Sequence, residues 1–264
     1  MIDIHCHVLP GIDDGPRDLD ESLALARVAE GDGTTVLVAT PHVSHTHPND
    51  SQIVREGVAR VNEALREEGI GVEVRTGAEV AHPMLGRLGD DELRALTLGG
   101  GPNLLLEAPL AAVGGELEEA VGHVQSIGLG VVLAHPERCP SFHRDPDRLA
   151  RLVAAGVFTS VTAASFGGGF GGTVRRLTAA LASRGLVHDA ASDAHDPKRR
   201  PPLLRSALLG ASDGLPGLAG QIEWLAREVP RALIAGEPLP PAPPAPGARR
   251  RGVRLPWRSA RAAD

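Results

Sequence analysis

Short apolar runs rich in Val, Ile, Leu and Ala recur at residues 2–6, 34–39, 72–76, 103–106, 130–134, 157–161 and 186–190. Runs of that length, bounded by glycine and polar clusters, predict buried strands. Between them apolar residues return at helical spacing over 19–29, 53–68, 116–127, 146–155 and 173–184, which predicts helices. Asp18 or Asp20, Asp50 or Ser51, and Asp145 stand where N-caps belong, and Gly31, Gly69, Gly128, Gly156 and Gly185 where the helices should stop. Seven strand-helix units without a topological break predict an α/β fold whose parallel sheet is closed, or nearly closed, into a barrel. Residues 205–209 and 222–234 are expected to pack as closing helices.

The pattern ends after Glu237, where proline alternates with small residues and then gives way to arginine. Such a stretch cannot build a core. The expected organisation is a domain over 1–238 and an extended, disordered tail over 239–264, solvated or tethered to an acidic partner or anionic lipid. The tail carries six arginines (249, 250, 251, 254, 258 and 261) against one aspartate, so the body is more acidic, near −11, than the overall net charge of −6. An acidic body with eleven histidines suits divalent cations better than nucleic acid. The opening residues lack a basic-then-apolar leader, and no run reaches membrane-spanning length. A cytoplasmic protein without a transmembrane segment is expected. Two cysteines, Cys6 and Cys139, give no reason to expect a disulfide.

Candidate chemistry begins in the first strand. His5 and His7 are two apart, so in extended backbone both imidazoles face one side, and the Asp13-Asp14 pair follows in a glycine-flanked turn. The same reading applied to each later strand end yields Thr40-Pro41-His42, Gly77-Ala78-Glu79, Glu107, His135-Pro136-Glu137-Arg138 and Ser192-Asp193-Ala194-His195; only the sixth strand ends without an obvious ligand. In a parallel barrel these ends share one face. His5, His7, Asp14, His42, Glu79, Glu107, His135, Asp193 and His195 are therefore expected to converge. Burying so many ionisable groups without a cation costs several kcal/mol each. Nine mixed nitrogen and oxygen ligands suit two or three divalent ions of manganese, iron or zinc, a set that favours hydrolytic phosphoryl chemistry. Arg138 and Arg200, with Arg199 or Arg175 as substitutes, are the expected phosphate-binding forks. His45 and His47 are expected in solvent, and His82, His123, His143 and His188 away from the centre.

The blocks IDIHCHVLPGIDDGP, TPH at 40–42, GAEV at 77–80, LLLEAP at 104–109, AHPER at 134–138 and SDAH at 192–195 resemble the polymerase-and-histidinol-phosphatase (PHP) superfamily. Within it they are similar to the metal-dependent protein-tyrosine phosphatases encoded with bacterial capsule and exopolysaccharide genes. The resemblance covers about residues 1–236. It implies a distorted (β/α)7 TIM-like barrel and a three-ion, typically manganese-dependent centre. One ion falls to His5, His7, Glu79 and Asp193, a second to Glu79, Glu107 and His135, and a third to Asp14, His42 and His195. It implies phosphate binding by Arg138 and Arg200, and a partner that is a tyrosine kinase of polysaccharide export with a tyrosine-rich tail. Cys139 after HPER and Asp196 after SDAH depart from the common pattern; the second adds a carboxylate near His195.

Other hydrolytic schemes fail on the residues. A cysteine-nucleophile phosphatase needs an arginine six positions after its cysteine, where this chain has Asp145 or Ile12. A carbamylated-lysine metal bridge has only Lys198 to use, in the wrong loop. A histidinol-phosphate or other small-molecule phosphatase and a non-catalytic kinase-binding regulator are the remaining alternatives, and self-association is left open.

Overall fold

The computed structural model describes residues 1–107 and 116–247. The chain runs β1 (Ile2–Cys6), α1 (Leu19–Gly31), β2 (Val36–Ala39), β3 (His42–Val43), α2 (Ser51–Glu67), β4 (Glu73–Arg75), β5 (Glu79–Ala81), α3 (Asp90–Ala95) and β6 (Asn103–Glu107). It continues as α4 (Glu116–Ser126), β7 (Gly130–Ala134), α5 (Pro140–Arg144), α6 (Pro146–Ala154), β8 (Phe158–Thr162), α7 (Ala163–Gly167), α8 (Gly172–Ser183), β9 (Asp189–Ala191), α9 (Leu204–Ala211) and α10 (Val229–Ala235). Asp18, Asp50 and Asp145 cap α1, α2 and α6 by accepting from first-turn amides. Gly31 does not stop α1; it is the helix's last residue, and Gly33, at φ 91°, makes the turn. The expected helix over 222–234 is broken by a wide turn, Trp224–Glu228, ahead of α10. Pro230 lacks an amide hydrogen and crowds the carbonyl four residues back, so the coil widens there.

All strand pairs are parallel, and they form two sheets, β1-β2-β4 and β3-β5-β6-β7-β8-β9. Among the described residues the paired strands do not close into a single ring. The second and third predicted strands, 34–39 and 72–76, form β2 and β4, and each is followed by a further short strand, β3 and β5, that the periodicity does not predict. Pro41 has no amide to continue β2 into β3. At Gly77, between β4 and β5, a side chain would meet Val38 Cγ1 at 2.7 Å and the Ala39 carbonyl at 3.2 Å. The sheets are stitched at the strand ends: Asp193 N donates to His5 O and His7 N to Ala194 O, both at 2.8 Å, while Thr40 N donates to Cys6 O at 2.9 Å and Glu79 N to Pro41 O at 3.1 Å. The irregular seams thus run through the segments that carry the candidate ligands.

Leu, Val, Ile and Ala fill the core between sheets and helices, with Leu104, Leu105 and Leu106 of β6 and Val131, Val132 and Leu133 of β7 fully buried. Strands covered on both faces read as continuous apolar runs for this reason. Cys6 and Cys139 are buried and are not joined in a disulfide. The first part of the expected tail is docked: Leu239 packs on the core, Trp224 Nε1 donates to Pro240 O and Gln221 Nε2 to Pro244 O, and Gly247 N donates to Pro216 O. Proline retains its carbonyl as an acceptor, which is what these contacts use. The six tail arginines lie outside the described residues. Among the described residues no helix is long and apolar enough to cross a membrane.

Candidate metal centre

The nine expected ligands meet at one mouth, in four overlapping groups: His7, Asp14, His42 and His195; His5, His7 and Asp193; His5, Glu79 and His135; His42, Glu79 and Glu107. Strand alternation aims His5 and His7 together, and the register His42↔Glu79 and Ala81↔Glu107 steps the later groups around the rim. Glu107 is grouped with His42 and Glu79, not with His135 as the resemblance implied. His135 and Asp193 are the only non-glycine residues with positive φ among those described, at 32° and 51°. Left-handed backbone at such residues is costly and clusters at functional sites.

Glu79 is the hub. It is 1% exposed, with His135 Nε2 at 2.7 Å from one oxygen and His42 Nδ1 at 2.9 Å from the other. His5 Nε2 lies 3.5 Å from both Glu79 Oε2 and Asp193 Oδ1, and His7 Nε2 lies 3.6 and 3.7 Å from the same two atoms. These gaps are long for hydrogen bonds. They match two ligands sharing one cation, since bonds of about 2.1 Å at a tetrahedral angle set ligand atoms about 3.4 Å apart. His5 Nε2 and His7 Nε2 are buried without a hydrogen-bond partner, a cost that a cation removes. The outer group is more open: Asp14 is exposed, with His195 Nε2 at 3.2 Å and His42 Nε2 at 3.4 Å from its Oδ1. The donor set and spacing fit divalent ions.

Charge is balanced internally. Burial opposes ionisation of Glu79, but His5 and His135 hold its carboxyl well below the usual range. Asp193 is likewise depressed by His5, His135 and Arg200 against its burial. Burial, then the neighbouring Glu79, pushes Glu107 up. Burial would lower His7, yet the Asp13 hydrogen bond and the Glu79 carboxylate raise it to about 9; Asp14 and Glu79 outweigh burial at His42 and raise it to about 11. Protons on these imidazoles stand where cations would sit, so loading exchanges one for the other.

Arg138 Nη1 at 2.6 Å and Arg200 Nη2 at 2.7 Å both bond Asp193 Oδ2, whereas Arg199 is exposed and Arg175 lies against Gly168. Asp196 does not reach into the centre: its carboxylate accepts from the amides of Lys198, Arg199 and Arg200, shaping the turn that delivers Arg200. Cys139 is fully buried, with Ser141 Oγ at 3.1 Å. His45 is exposed, but His47 is half-buried and stacks on His42 at 5.6 Å.

Two contributors escaped the strand-end reading. Asp13 points inward, where His7 Nδ1 donates to its Oδ2 at 2.8 Å and leaves Nε2 free toward the centre; its neighbour Asp14 is the one that falls in a candidate ligand group. Glu137 is fully buried and accepts from Thr162 N and Ser165 Oγ, tying the Arg138 turn to β8 and α7. The sixth predicted strand, β8, thus serves the site through its backbone, Thr162 N donating to Glu137 and Ser160 O accepting from His135 N. An acid between His135 and Arg138 was the available signal.

A family model described as capsular polysaccharide synthesis, CpsB/CapC, matches residues 1–211. The tyrosine-protein phosphatase YwqE of Bacillus subtilis is 31% identical over 254 residues, covering 95% of this chain and 98% of its own. The tyrosine-protein phosphatase CpsB of Streptococcus pneumoniae is 26% identical over 215 residues, covering 78% of this chain and 88% of its own. A solved structure described as belonging to YwqE and CpsB, "unique metal-dependent tyrosine phosphatases", superposes with a TM-score of 0.80 at 29% identity, covering 95% of this chain and all of that one. A lactonase from Listeria monocytogenes, 11% identical with a TM-score of 0.52 over 91% of this chain and 94% of its own, shares the fold alone.

Proposed function

Because the chain belongs to the capsular polysaccharide synthesis family CpsB/CapC, we propose that its mouth is the active centre of a metal-dependent protein-tyrosine phosphatase. The observation that carries this reading is the pair of unpartnered buried nitrogens, His5 Nε2 and His7 Nε2, beside two arginines that converge on one oxygen of Asp193. The ligands are His5, His7, Asp14, His42, Glu79, Glu107, His135, Asp193 and His195, holding three divalent ions, of which manganese is the first candidate and iron or zinc the alternatives. The two sheets are read as a distorted seven-position barrel. The domain read over residues 1–238 extends through the docked residues 239–247.

Bound divalent ions supply Lewis acidity that lowers the pKa of water and neutralises phosphoryl charge. The protein's own contribution is binding and orientation. Arg138 and Arg200 take non-bridging phosphate oxygens in fork geometry, Asp13 fixes the His7 ring, and Glu137 keeps the Arg138 turn in register with α7. A phenolate, with a parent pKa near ~10, departs without a strong general acid, and none is assigned. The substrate is a phosphotyrosine-bearing protein of capsule or exopolysaccharide synthesis, of which an autophosphorylated tyrosine kinase tail is the candidate.

Purified protein stripped of divalent ions, reloaded with manganese, iron or zinc in turn, and offered phosphotyrosine peptide and histidinol phosphate tests this. Metal-restored turnover of the peptide is expected. Turnover of histidinol phosphate alone would overturn the tyrosine assignment, and turnover of neither would point to a regulator.

A further inference from the structure

Beside the mouth lies a cleft that the phosphate chemistry leaves unused. Ala163 and Ala164 of α7, Phe170, and Leu203 and Ala207 at α9 enclose about 350 Å³, and Asp193 and Arg200 close its inner end. An apolar cavity of about 150 Å³ already accepts benzene, so a substituted phenyl ring fits with room for its attachment to a peptide. The rest of the lining is small or apolar apart from Arg199, Ser192 and Ser206.

Phe170 occupies an unusual position. Aromatic residues make up 2% of the chain, yet this ring is half-buried at the cleft and adds little to the core. It is the only side chain in the run from Gly167 to Gly172, where Gly168 and Gly171 both take φ of 92°, a backbone that glycine adopts without penalty. The turn therefore exists to present one ring. Arg138 locates that ring relative to the chemistry: its guanidinium carbon is 4.5 Å from the Phe170 centroid, a cation–π distance, while its Nη1 bonds Asp193 Oδ2. Phe170 is thus coupled through one side chain to the phosphate-binding end.

We propose that Phe170 and the alanine-lined wall form the aryl subsite of the enzyme, selecting phosphate esters of phenols over those of alkyl alcohols. This rests on the phosphatase reading above. The phosphate meets Arg138 and Arg200 at the bottom of the cleft, and the ester ring packs against Phe170, Ala164 and Leu203. A phosphoserine chain has no ring with which to fill that space.

The test uses the full, metal-loaded chain and its Phe170→Ala and Phe170→Tyr variants. Inhibition constants are measured for phenylphosphonate, methylphosphonate and inorganic phosphate, with kcat and KM for a phosphotyrosine peptide. In Phe170→Ala the KM for peptide and the constant for phenylphosphonate should rise about tenfold, while the constants for methylphosphonate and phosphate, and kcat, should move by less than about threefold. Phe170→Tyr, which keeps the ring, should behave as the parent. A phenylphosphonate advantage that survives in Phe170→Ala overturns the subsite and leaves the phosphatase reading intact. Equal weakening of all three anions also overturns it, since Phe170 would then act only by positioning Arg138. A parent enzyme that turns over no aryl phosphate overturns both.

Discussion

Two layers of buried carboxyl groups lie one above the other, and they behave in opposite ways. At the mouth, Glu79 and Asp193 face imidazoles and guanidiniums and are held ionised. One step toward the strand starts, Asp3 of β1 and Asp189 of β9 face amides and hydroxyls: Asp3 Oδ1 accepts from His5 N and Ser192 N, and Asp189 Oδ2 from Ser160 Oγ. Burial pushes both of these carboxyls up, Asp189 well above its usual value and further still because Asp3 is near. Side-chain type and burial are the same in both layers. What differs is the charge opposite, and that difference decides which layer can hold cations.

The contrast is broken most severely by Asp193→Asn, which removes a charge that five groups share. Peptide phosphatase activity should fall by at least about 10²-fold, and metal content measured on the purified variant should drop with it. Retained metal and activity would remove Asp193 from the centre. Asp13→Asn comes next, since it loosens the ring orientation of His7 without deleting a ligand. Metal affinity by titration should weaken about 10- to 100-fold, with fold and melting profile kept.

The pH dependence of loading sharpens the same comparison. His7 titrates at about 9 in the metal-free protein, so it is protonated at neutral pH and must lose that proton when a cation binds. Apparent affinity should increase about tenfold per pH unit, for each proton displaced, up to that value. Calorimetric titrations in buffers of different ionisation enthalpy read the proton count; a count of zero at pH 7 would contradict the charge pattern.

The smallest effect belongs to the lower layer. Asp189 has a folded pKa raised above its usual 3.8, so the stability it allows is complete below that value and is lost as pH rises toward the folded pKa. Asp189→Asn should therefore leave activity nearly unchanged, and at pH 7 should be neutral or stabilising in a denaturant melt. A loss comparable to that of Asp193→Asn would erase the distinction between the layers.

Much of the site was legible because one geometric rule covers it: in parallel strands, polar residues just past an apolar run gather on one face. His5, Glu79, His135 and Asp193 all obey that rule. Asp14 is among the expected ligands, but the role of its neighbour Asp13 was not legible, because which ring a turn carboxylate meets depends on the folded loop. The short strands β3 and β5 escaped because each is set off from the strand before it by Pro41 or by Gly77, whose closeness to Val38 is a tertiary fact that periodicity does not encode. Helices as short as α5 and α7 hold too few turns for a repeat to register. Phe170 was passed over for a related reason, since a lone ring in a glycine run has no period and acquires meaning only from the arginine above it.

The left-handed backbone at His135 and Asp193 also bears on how this protein can be improved. Each such residue costs on the order of 1 kcal/mol, and glycine at either place would relieve the cost. A screen that rewards heat resistance alone will therefore drift toward erasing the imidazole or the carboxylate, and its best survivors will be inert. Selection for durability has to be coupled to selection for turnover, or these two positions have to be kept out of the library.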